Sequence, residues 1–295
     1  MKIIDFDIVF LSYDEPNADI HYADLCNKVP WAQRVHGVKG SDAAHKAAAE
    51  RSETDWLVTV DADNIVYPSF FDLDIDFKDP DVQVYSWCGR NKINGLRYGN
   101  GGLKLWHKDF ILNMKTHEES DSERAQVDFC WEDGYCAFTK TFSDSIINGS
   151  AFQAWRAGFR EGVKMTLFDG CKVPAQEITK HIWWHNIHRL KMWSTVGSHV
   201  DYGTYAILGA RQGTYMTNCT DWDYVQVRDF DYLADLYEEI VPGSNDDVTL
   251  LAKELGEKIQ LELGLSWPWL EAEQSKYTLE LYDESIALGQ TYYNV

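Results

Sequence analysis

Two aspartates, Asp61 and Asp63, stand one residue apart directly after the apolar run Trp56–Val60. The run has the composition of a buried strand, and in extended chain residues two apart point to the same side. Both carboxylates could then bind one hard divalent cation, Mg²⁺ or Mn²⁺, with coordination positions left for phosphate oxygens. The alternative is that the two aspartates begin an ordinary solvated turn.

The pattern D-x-D by itself carries little information, because it occurs seven times in this chain. Only the pair at 61 and 63 comes directly after an apolar strand, at the carboxyl end of that strand. The other pairs precede a strand or lie in polar loops and helix starts. Position therefore favours a metal site at Asp61 and Asp63 over a solvated turn.

Strands alternate with helices over roughly the first 110 residues, which predicts a mostly parallel sheet with helices on its faces. The predicted elements are a strand at 7–12, a helix ending near 26, an extended piece at 35–38, a helix at 44–51 capped by Ser41 or Asp42, and strands at 56–60, 82–87 and 101–106. Ligands of such sheets collect beyond the carboxyl ends of the strands. The turn Tyr13–Asn17 and the segment Asp61–Asn64 are therefore predicted to face one cleft.

The order of "SYDEP", "VKGSDAAHKAA" and "WLVTVDADN" resembles the nucleotide-binding half of GT-A glycosyltransferases of the broad family 2 type, over roughly residues 5–135. The chain as a whole is more similar still to a group of bacteriophage-encoded glycosyltransferases. The resemblance implies an α/β fold of the GT-A kind, a Rossmann-like mixed sheet flanked by helices, with a helical C-terminal region. It also implies transfer of a sugar from a nucleotide-sugar donor.

The resemblance assigns roles to individual residues. Asp61 and Asp63 would hold Mn²⁺ or Mg²⁺ against the diphosphate of the donor. The residues that would contact the rest of the nucleotide-sugar follow the first strand or begin the second helix: Ser12, Tyr13, Asp14, Glu15, Asp42 and Lys46. Many family members have an arginine after the glycine of this helix start, and here Lys39 or Lys46 is the candidate substitute.

A catalytic base is predicted in the segment "VDFCWEDGY". Inverting glycosyl transfer needs a carboxylate that takes the proton of the acceptor hydroxyl as it attacks. Family 2 enzymes often carry this base in a Glu-Asp pair, which corresponds here to Glu132 and Asp133. The alternatives are a structural role for both carboxylates, or a retaining mechanism that needs no such base.

The segment 82–108 lacks acidic residues, although the chain has a net charge of −20. Its basic residues are Arg90, Lys92, Arg97, Lys104 and Lys108, and its central glycines are Gly95, Gly99, Gly101 and Gly102. Glycines permit a mobile backbone that could close over a phosphate or an acceptor. The alternative interpretation is a solvated hairpin loop.

The segment 151–168 is predicted to be a helix with Ser150 as its N-cap. Phe152, Trp155, Phe159 and Val163 recur at helical spacing and predict its buried face. Arg156, Arg160 and Lys164 form a second stripe, suited to anionic oxygens of a phosphate or acceptor. The alternative is a solvated face.

A helix is also predicted over roughly residues 175–196, with His181, His185 and His188 on one face. Many GT-A enzymes add a C-terminal histidine to the metal shell, and His185 is the favoured candidate here. The alternative is that these histidines are ordinary surface residues.

The acidity of the chain is concentrated near its C-terminus. Residues 229–295 contain 15 acids and 3 lysines, a net charge of −12, which leaves −8 for residues 1–228. The predicted organisation is a nucleotide-sugar-binding domain at 1–150, a helical acceptor and catalytic region at 151–228, and acidic helices at 229–295. The overall charge therefore does not exclude a polyanionic partner.

The acceptor is left open between a 5-hydroxymethylated pyrimidine in double-stranded phage DNA and a glycan or protein. A sugar-nucleotide nucleotidyltransferase and a non-catalytic carbohydrate-binding protein are further alternatives, since 12 tryptophans would suit a carbohydrate binder. No window approaches eighteen apolar residues and the first ten residues contain acids. These features predict a cytoplasmic protein without a membrane partner, in the host cytoplasm if it is phage-encoded. The oligomeric state stays open.

Overall fold

The computed structural model describes residues 1–116, 118 and 133–288. They form two compact units, unit 1 from residues 1–92, 96–116, 118 and 133–146, and unit 2 from 93–95 and 147–288. Unit 1 is a sheet flanked by helices, and unit 2 is helical. The predicted α/β class with a helical C-terminal region is confirmed.

Unit 1 is built on a seven-stranded sheet of order β2-β1-β3-β6-β5-β7-β4. Its described strands are β1 (Asp7–Ser12), β2 (Gln33–His36), β3 (Trp56–Asp61), β4 (Asn64–Val66), β5 (Val84–Asn91), β6 (Arg97–His107) and β7 (Tyr135–Ser145). β1 pairs in parallel with β2 and β3, and β5 with β7, whereas the other pairings are antiparallel. The sheet is mixed, and the prediction of a mostly parallel sheet is wrong because β6 returns from β5 as a hairpin.

The central strands of unit 1 are covered on both faces. Ile8 and Phe10 belong to one buried cluster, while Val9 and Leu11 belong to another. Successive side chains of a strand point to opposite faces, so both faces of β1 must be apolar. The same holds for β3, and a charged side chain is tolerated only where the strand leaves this double cover, at Asp61.

The described helices of unit 1 are α1 (Ala18–Lys28), α2 (Ser41–Arg51) and α3 (Lys108–Asn113). Gly40 is the N-cap of α2, with φ of 95°, a backbone conformation that residues with a Cβ rarely adopt. The amide of Ser41 donates to Oε1 of Glu118 at 2.6 Å. The prediction that Ser41 or Asp42 caps this helix is therefore wrong, because a distant carboxylate satisfies the helix start.

The described helices of unit 2 are α4 (Ala151–Lys164), α5 (Ile178–His181), α6 (Trp184–Thr195), α7 (Gly203–Cys219), α8 (Phe230–Ile240), α9 (Asn245–Leu263) and α10 (Ala272–Ala287). Oγ of Ser150 accepts from the amide of Gln153 at 3.1 Å, which confirms the predicted N-cap. Trp155 and Phe159 are completely buried, as the apolar stripe predicts. None of the helices described combines the length and the apolar character needed to span a bilayer.

The predicted helix over 175–196 is interrupted. Ile182 and Trp183 have extended ψ angles of 135° and 131°, so α5 ends at His181 and α6 begins at Trp184. The interruption buries Ile182 and leaves Trp183 exposed. The prediction that His181 shares a helical face with His185 is therefore wrong.

Helices α4 and α7 pack with their backbones in close approach. The contact is lined by glycines at spacing four on each helix, Gly158 and Gly162 on α4 and Gly209 and Gly213 on α7. A Cβ at Gly209 would overlap the carbonyl oxygen of Trp155. Glycine in a helix interior normally costs stability, and here the close packing compensates for that cost.

Gly209→Ala is expected to destabilise the protein by about 1–3 kcal/mol, because the two helices must move apart to admit the methyl group. The measurement is the free energy of unfolding in urea. Gly243→Ala is the matched control, since nothing lies within 4 Å of a Cβ built at that position. Equal stability of the two variants would contradict the close approach.

Candidate functional site

The acidic pair lies at the edge of the sheet where three parallel strands end. In the registers of β1 with its neighbours, Leu11 is opposite Asp61 and Ser12 is opposite His36. We call this side of the sheet the carboxyl edge. The structure thus brings the turn after β1 and the turn after β3 to the same edge, where ligands of such sheets bind.

Hydrogen bonds from distant parts of unit 1 hold the turn between Asp61 and Asn64. Nδ1 of His21 in α1 donates to the carbonyl oxygen of Ala62 at 2.6 Å. The amide of Ile146 donates to the carbonyl oxygen of Asp63, also at 2.6 Å. The backbone that presents the two carboxylates is therefore fixed from two sides.

Asn64 orients the carboxylate of Asp63. Its Nδ2 donates to Oδ1 of Asp63 at 2.7 Å, and its Oδ1 accepts from Oγ of Ser143 at 2.8 Å. Asn64 and Ser143 are buried, so neither bond competes with bulk water. Asn64 is not among the residues predicted from the sequence, although its place beside the D-x-D pair was a signal.

Gly102 provides the space in which the acidic side chains lie. It is on β6 beside Asp61, because Val60 pairs with Leu103. A Cβ at Gly102 would lie 2.5 Å from Oδ2 of Asp61 and 2.6 Å from Nδ2 of Asn64. The interpretation of Gly99, Gly101 and Gly102 as a mobile loop is wrong, since all three belong to β6.

Gly102→Ala is expected to lower the affinity for Mn²⁺ by about tenfold or more, because the methyl group displaces the carboxylate of Asp61. Isothermal titration with Mn²⁺ measures the effect. Gly99→Ala is the control on the same strand, where a Cβ would meet nothing within 4 Å. Unchanged affinity in Gly102→Ala would show that Asp61 does not bind the metal.

The electrostatics of the pair favour a cation. Burial, together with the nearby charges of Asp61 and Glu15, raises the pKa of Asp63 to about 7. A divalent ion between the two aspartates would remove this repulsion. Within the part of the chain that the structure describes, no three His, Cys, Asp or Glu side chains converge as a metal cage. Two carboxylates suit Mg²⁺ or Mn²⁺, which commonly take their other ligands from substrate phosphates and water.

His45 is buried near the acidic pair, and it is not among the residues predicted from the sequence. Its Nδ1 donates to the carbonyl oxygen of Ser41 at 2.8 Å, and its ring packs edge-on against Trp106. Burial lowers the pKa of His45, although the charge of Asp61 opposes this shift. The ring is therefore neutral at physiological pH. A lone histidine within an alanine-rich helix was the only signal for it in the sequence.

The residues at and after the end of β1, which were predicted to contact the nucleotide, differ in their burial and hydrogen bonds. Oγ of Ser12 accepts from Nε of Arg34 at 2.8 Å and lies 3.0 Å from Nδ1 of His36. Tyr13 and Asp14 are exposed, and the amide of Tyr13 donates to Oε2 of Glu15 at 2.8 Å. The turn after β1 therefore presents accessible side chains near the acidic pair.

Asp42 and Lys46 form an ion pair with 2.7 Å between Oδ2 and Nζ. Asp42 is only 7% exposed, so its carboxylate faces the protein. Lys46 is half-buried beside it. Both residues belong to the first turns of α2, the helix that follows β2 in unit 1.

Basic side chains also lie at the carboxyl edge. β5 runs in the same direction as β3, because each is antiparallel to β6 between them, and Arg90 lies near the carboxyl end of β5. Arg90 and Lys92 approach the carboxylate of Asp144 at 3.8 and 3.6 Å, and the hydroxyl of Tyr67 donates to it at 2.7 Å. β5 lies two strands from β3, so the lateral separation of these two strands is about 10 Å.

Asp133, the predicted base, lies at the opposite edge of the sheet. β7 is parallel to β5, and its first residue, Tyr135, lies opposite Val84. Val84 in turn lies opposite Trp106 of β6, and Trp106 lies opposite Leu57, near the beginning of β3. The start of β7 is therefore level with the start of β3, whereas Asp61 is at the end of β3. The structure therefore does not bring Asp133 together with Asp61, and its assignment as the base is corrected for this reason. Glu132 lies outside the described residues.

Three predicted site residues belong to unit 2. The guanidinium groups of Arg156 and Arg160 lie 4.6 and 4.8 Å from the ring centre of Phe230. Lys164 of the same stripe pairs with Glu161 at 2.8 Å. Burial, with a smaller contribution from Arg189, lowers the pKa of His185, so its ring is neutral and able to bind a metal.

No family model and no curated protein matches this chain. Among solved structures, a glycosyltransferase involved in the glycosylation of the major capsid of PBCV-1 is similar at 16% identity and a TM-score of 0.30, over 49% of this chain and 94% of that chain. The mannosyltransferase PcManGT from Pyrobaculum calidifontis, in complex with GDP-Man and Mn²⁺, is similar at 11% identity and a TM-score of 0.33, over 97% of this chain and 88% of that chain. At these TM-scores the likenesses leave the function to be argued from the site itself.

Proposed function

We propose that this protein transfers a sugar from a nucleotide-sugar donor to an acceptor hydroxyl, with Mn²⁺ or Mg²⁺ bound by Asp61 and Asp63. The observation that carries this proposal is the fixed turn at the carboxyl edge, where burial and charge repulsion raise the pKa of Asp63 to about 7. Without a cation, the two carboxylates repel each other and the ionised form of Asp63 is destabilised; a bound cation would remove this repulsion.

The metal would neutralise the negative charge that develops on the leaving diphosphate. Arg90 and Lys92 lie at the same edge and would bind phosphate oxygens of the donor. The turn of Ser12, Tyr13, Asp14 and Glu15 would hold the base and ribose, with Asp42 and Lys46 nearby on α2. We leave the base unassigned, since Asp133 lies two residues before β7 begins, at the far edge of the sheet.

Residues of unit 2 complete the proposal. His185 is proposed as a further metal ligand, and Arg156 and Arg160 as contacts to phosphate oxygens. The neutral ring of His185 and the planar guanidinium groups are chemically suited to these roles.

The acceptor proposed is a 5-hydroxymethylated pyrimidine in phage DNA, with a glycan or protein hydroxyl as the alternative outcome. One incubation tests donor and acceptor together. Purified protein, Mn²⁺ and a panel of sugar nucleotides are mixed with unmodified and hydroxymethylcytosine-containing DNA, and mass spectrometry follows released nucleotide and digested nucleosides. Sugar added only to the modified base supports the whole proposal. Nucleotide release without modified DNA removes the DNA acceptor, and no turnover with any donor contradicts the transferase.

A further inference from the structure

Unit 2 carries an exposed aromatic surface at the junction of α5 and α6. Trp183 is 58% exposed, Trp184 53% and Phe168 40%. The ring centres of Trp183 and Trp184 lie 5.6 and 5.8 Å from that of His185, and Phe168 lies 6.3 Å from His181. We call these five residues the tryptophan patch. Large aromatic side chains exposed together mark binding sites more often than isolated ones do.

The tryptophan patch lies in a segment of reversed charge. Residues 168–200, which include the whole patch, contain four basic residues and two acidic residues, in a chain whose net charge is −20. The basic residues are Lys172, Lys180, Arg189 and Lys191, and the acids are Asp169 and Glu177. The side chain of Lys180 is 70% exposed, at 3.9 Å from Glu177. This local positive charge favours an anionic partner over a neutral glycan.

The apolar side chains of the same segment favour a nucleic acid over an anionic membrane as the partner. Over residues 165–200, all of them described, the large exposed apolar side chains are aromatic, whereas aliphatic ones such as Ile182 and Leu190 are buried. Insertion into a bilayer uses aliphatic side chains together with tryptophan. Stacking on nucleic-acid bases needs planar rings, with cations beside them for the phosphates.

We infer that the tryptophan patch binds a nucleic-acid strand with unstacked bases, which stack on Trp183 and Trp184 while its phosphates lie against Lys180 and Lys191. This inference rests on the proposed function, in which the strand is the acceptor DNA. A base must leave the duplex before an enzyme can act on it, and exposed aromatic side chains stabilise the opened strand.

The test measures binding of a fluorescein-labelled oligothymidine strand by anisotropy, with quenching of tryptophan fluorescence as a second readout. We expect Trp183→Ala and Trp184→Ala each to weaken binding by about tenfold. Lys180→Ala combined with Lys191→Ala should reduce the slope of log affinity against log salt by about 1.4. All four side chains are exposed, so the variants should fold, which circular dichroism checks.

Trp31→Ala is the matched control, because Trp31 is also half exposed but belongs to unit 1. It should bind the strand as the unaltered protein does. The inference is overturned if the unaltered protein does not bind the strand, or if Trp183→Ala and Trp184→Ala bind as tightly as Trp31→Ala. It is also overturned if vesicles of anionic phospholipid bind the protein through these tryptophans and the strand does not.

Transferase activity is measured separately, in the same samples. Release of nucleotide from the donor in the presence of Mn²⁺ depends on Asp63, and strand binding should persist in Asp63→Asn. Strand binding without donor turnover supports the tryptophan patch and contradicts the transferase. Donor turnover without strand binding supports the transferase and overturns the tryptophan patch.

Discussion

Asp63→Asn should reduce metal-dependent transfer by about a thousandfold, because a neutral amide oxygen replaces the carboxylate that we propose binds the cation against the leaving diphosphate. The measurement is the initial rate of nucleotide release at saturating Mn²⁺, with Mn²⁺ affinity from isothermal titration. A carbohydrate-binding protein without transferase activity would keep its sugar affinity in this variant. The substitution therefore separates these two functions.

The same substitution should stabilise the protein in the absence of metal. Burial and the charges of Asp61 and Glu15 raise the pKa of Asp63 to about 7, whereas an aspartate of the unfolded chain has a pKa of about 3.9. The folded state then binds the proton more tightly, so stability falls as pH rises from about 4 to 7. The cost above pH 7 is on the order of 4 kcal/mol, and the uncharged amide of the variant does not incur it.

Urea unfolding in EDTA at two pH values checks this effect. Asp63→Asn should exceed the unaltered protein in stability at about pH 7.5 and approach it at about pH 4.5, where the aspartate of the folded protein is protonated. Asp72→Asn is the control, since Asp72 belongs to another D-x-D pair and is exposed. A variant that loses activity and also loses stability at pH 7.5 would contradict the electrostatic account.

Arg211→Met should lower the free energy of unfolding by about 3–5 kcal/mol. Arg211 is 1% exposed, and its Nε, Nη1 and Nη2 donate to carbonyl oxygens of Ser194, Ala252 and Trp267 at 2.9, 2.6 and 2.9 Å. Burial lowers its pKa to about 10, so the guanidinium remains charged at neutral pH. Met fills a similar volume but donates no hydrogen bond, so the variant loses three buried charge-assisted hydrogen bonds.

The measurement is the midpoint and free energy of urea unfolding, followed by circular dichroism because unit 2 is helical. Lys258→Met removes one exposed cation from the neighbouring helix α9 and is the matched control, expected within about 0.5 kcal/mol of the unaltered protein. If Arg211→Met were as stable as this control, the carbonyl groups would have found other donors. Arg211 would then not be the residue that ties α6, α7 and α9 together.

Local features of this protein could be predicted from the sequence alone. The strands β1 and β3 follow from apolar runs whose two faces are both buried, a pattern that composition shows directly. The N-cap at Ser150 depends on residues three apart in the chain. The carboxyl-edge position of Asp61 follows from the end of an apolar strand. In each case the determining interactions are short-range or repeat along one element.

Other features were decided only by the tertiary structure. Gly102 makes space for Asp61, and Ser143 orients Asn64 across 79 residues of sequence. The direction of β7 placed Asp133 at the far edge, although its Glu-Asp motif suggested a catalytic base. Arg211 looks in the sequence like any surface arginine of a helix. These outcomes depend on which strands and helices become neighbours, and pairing between distant segments leaves no periodic pattern in a single sequence from which it could be predicted.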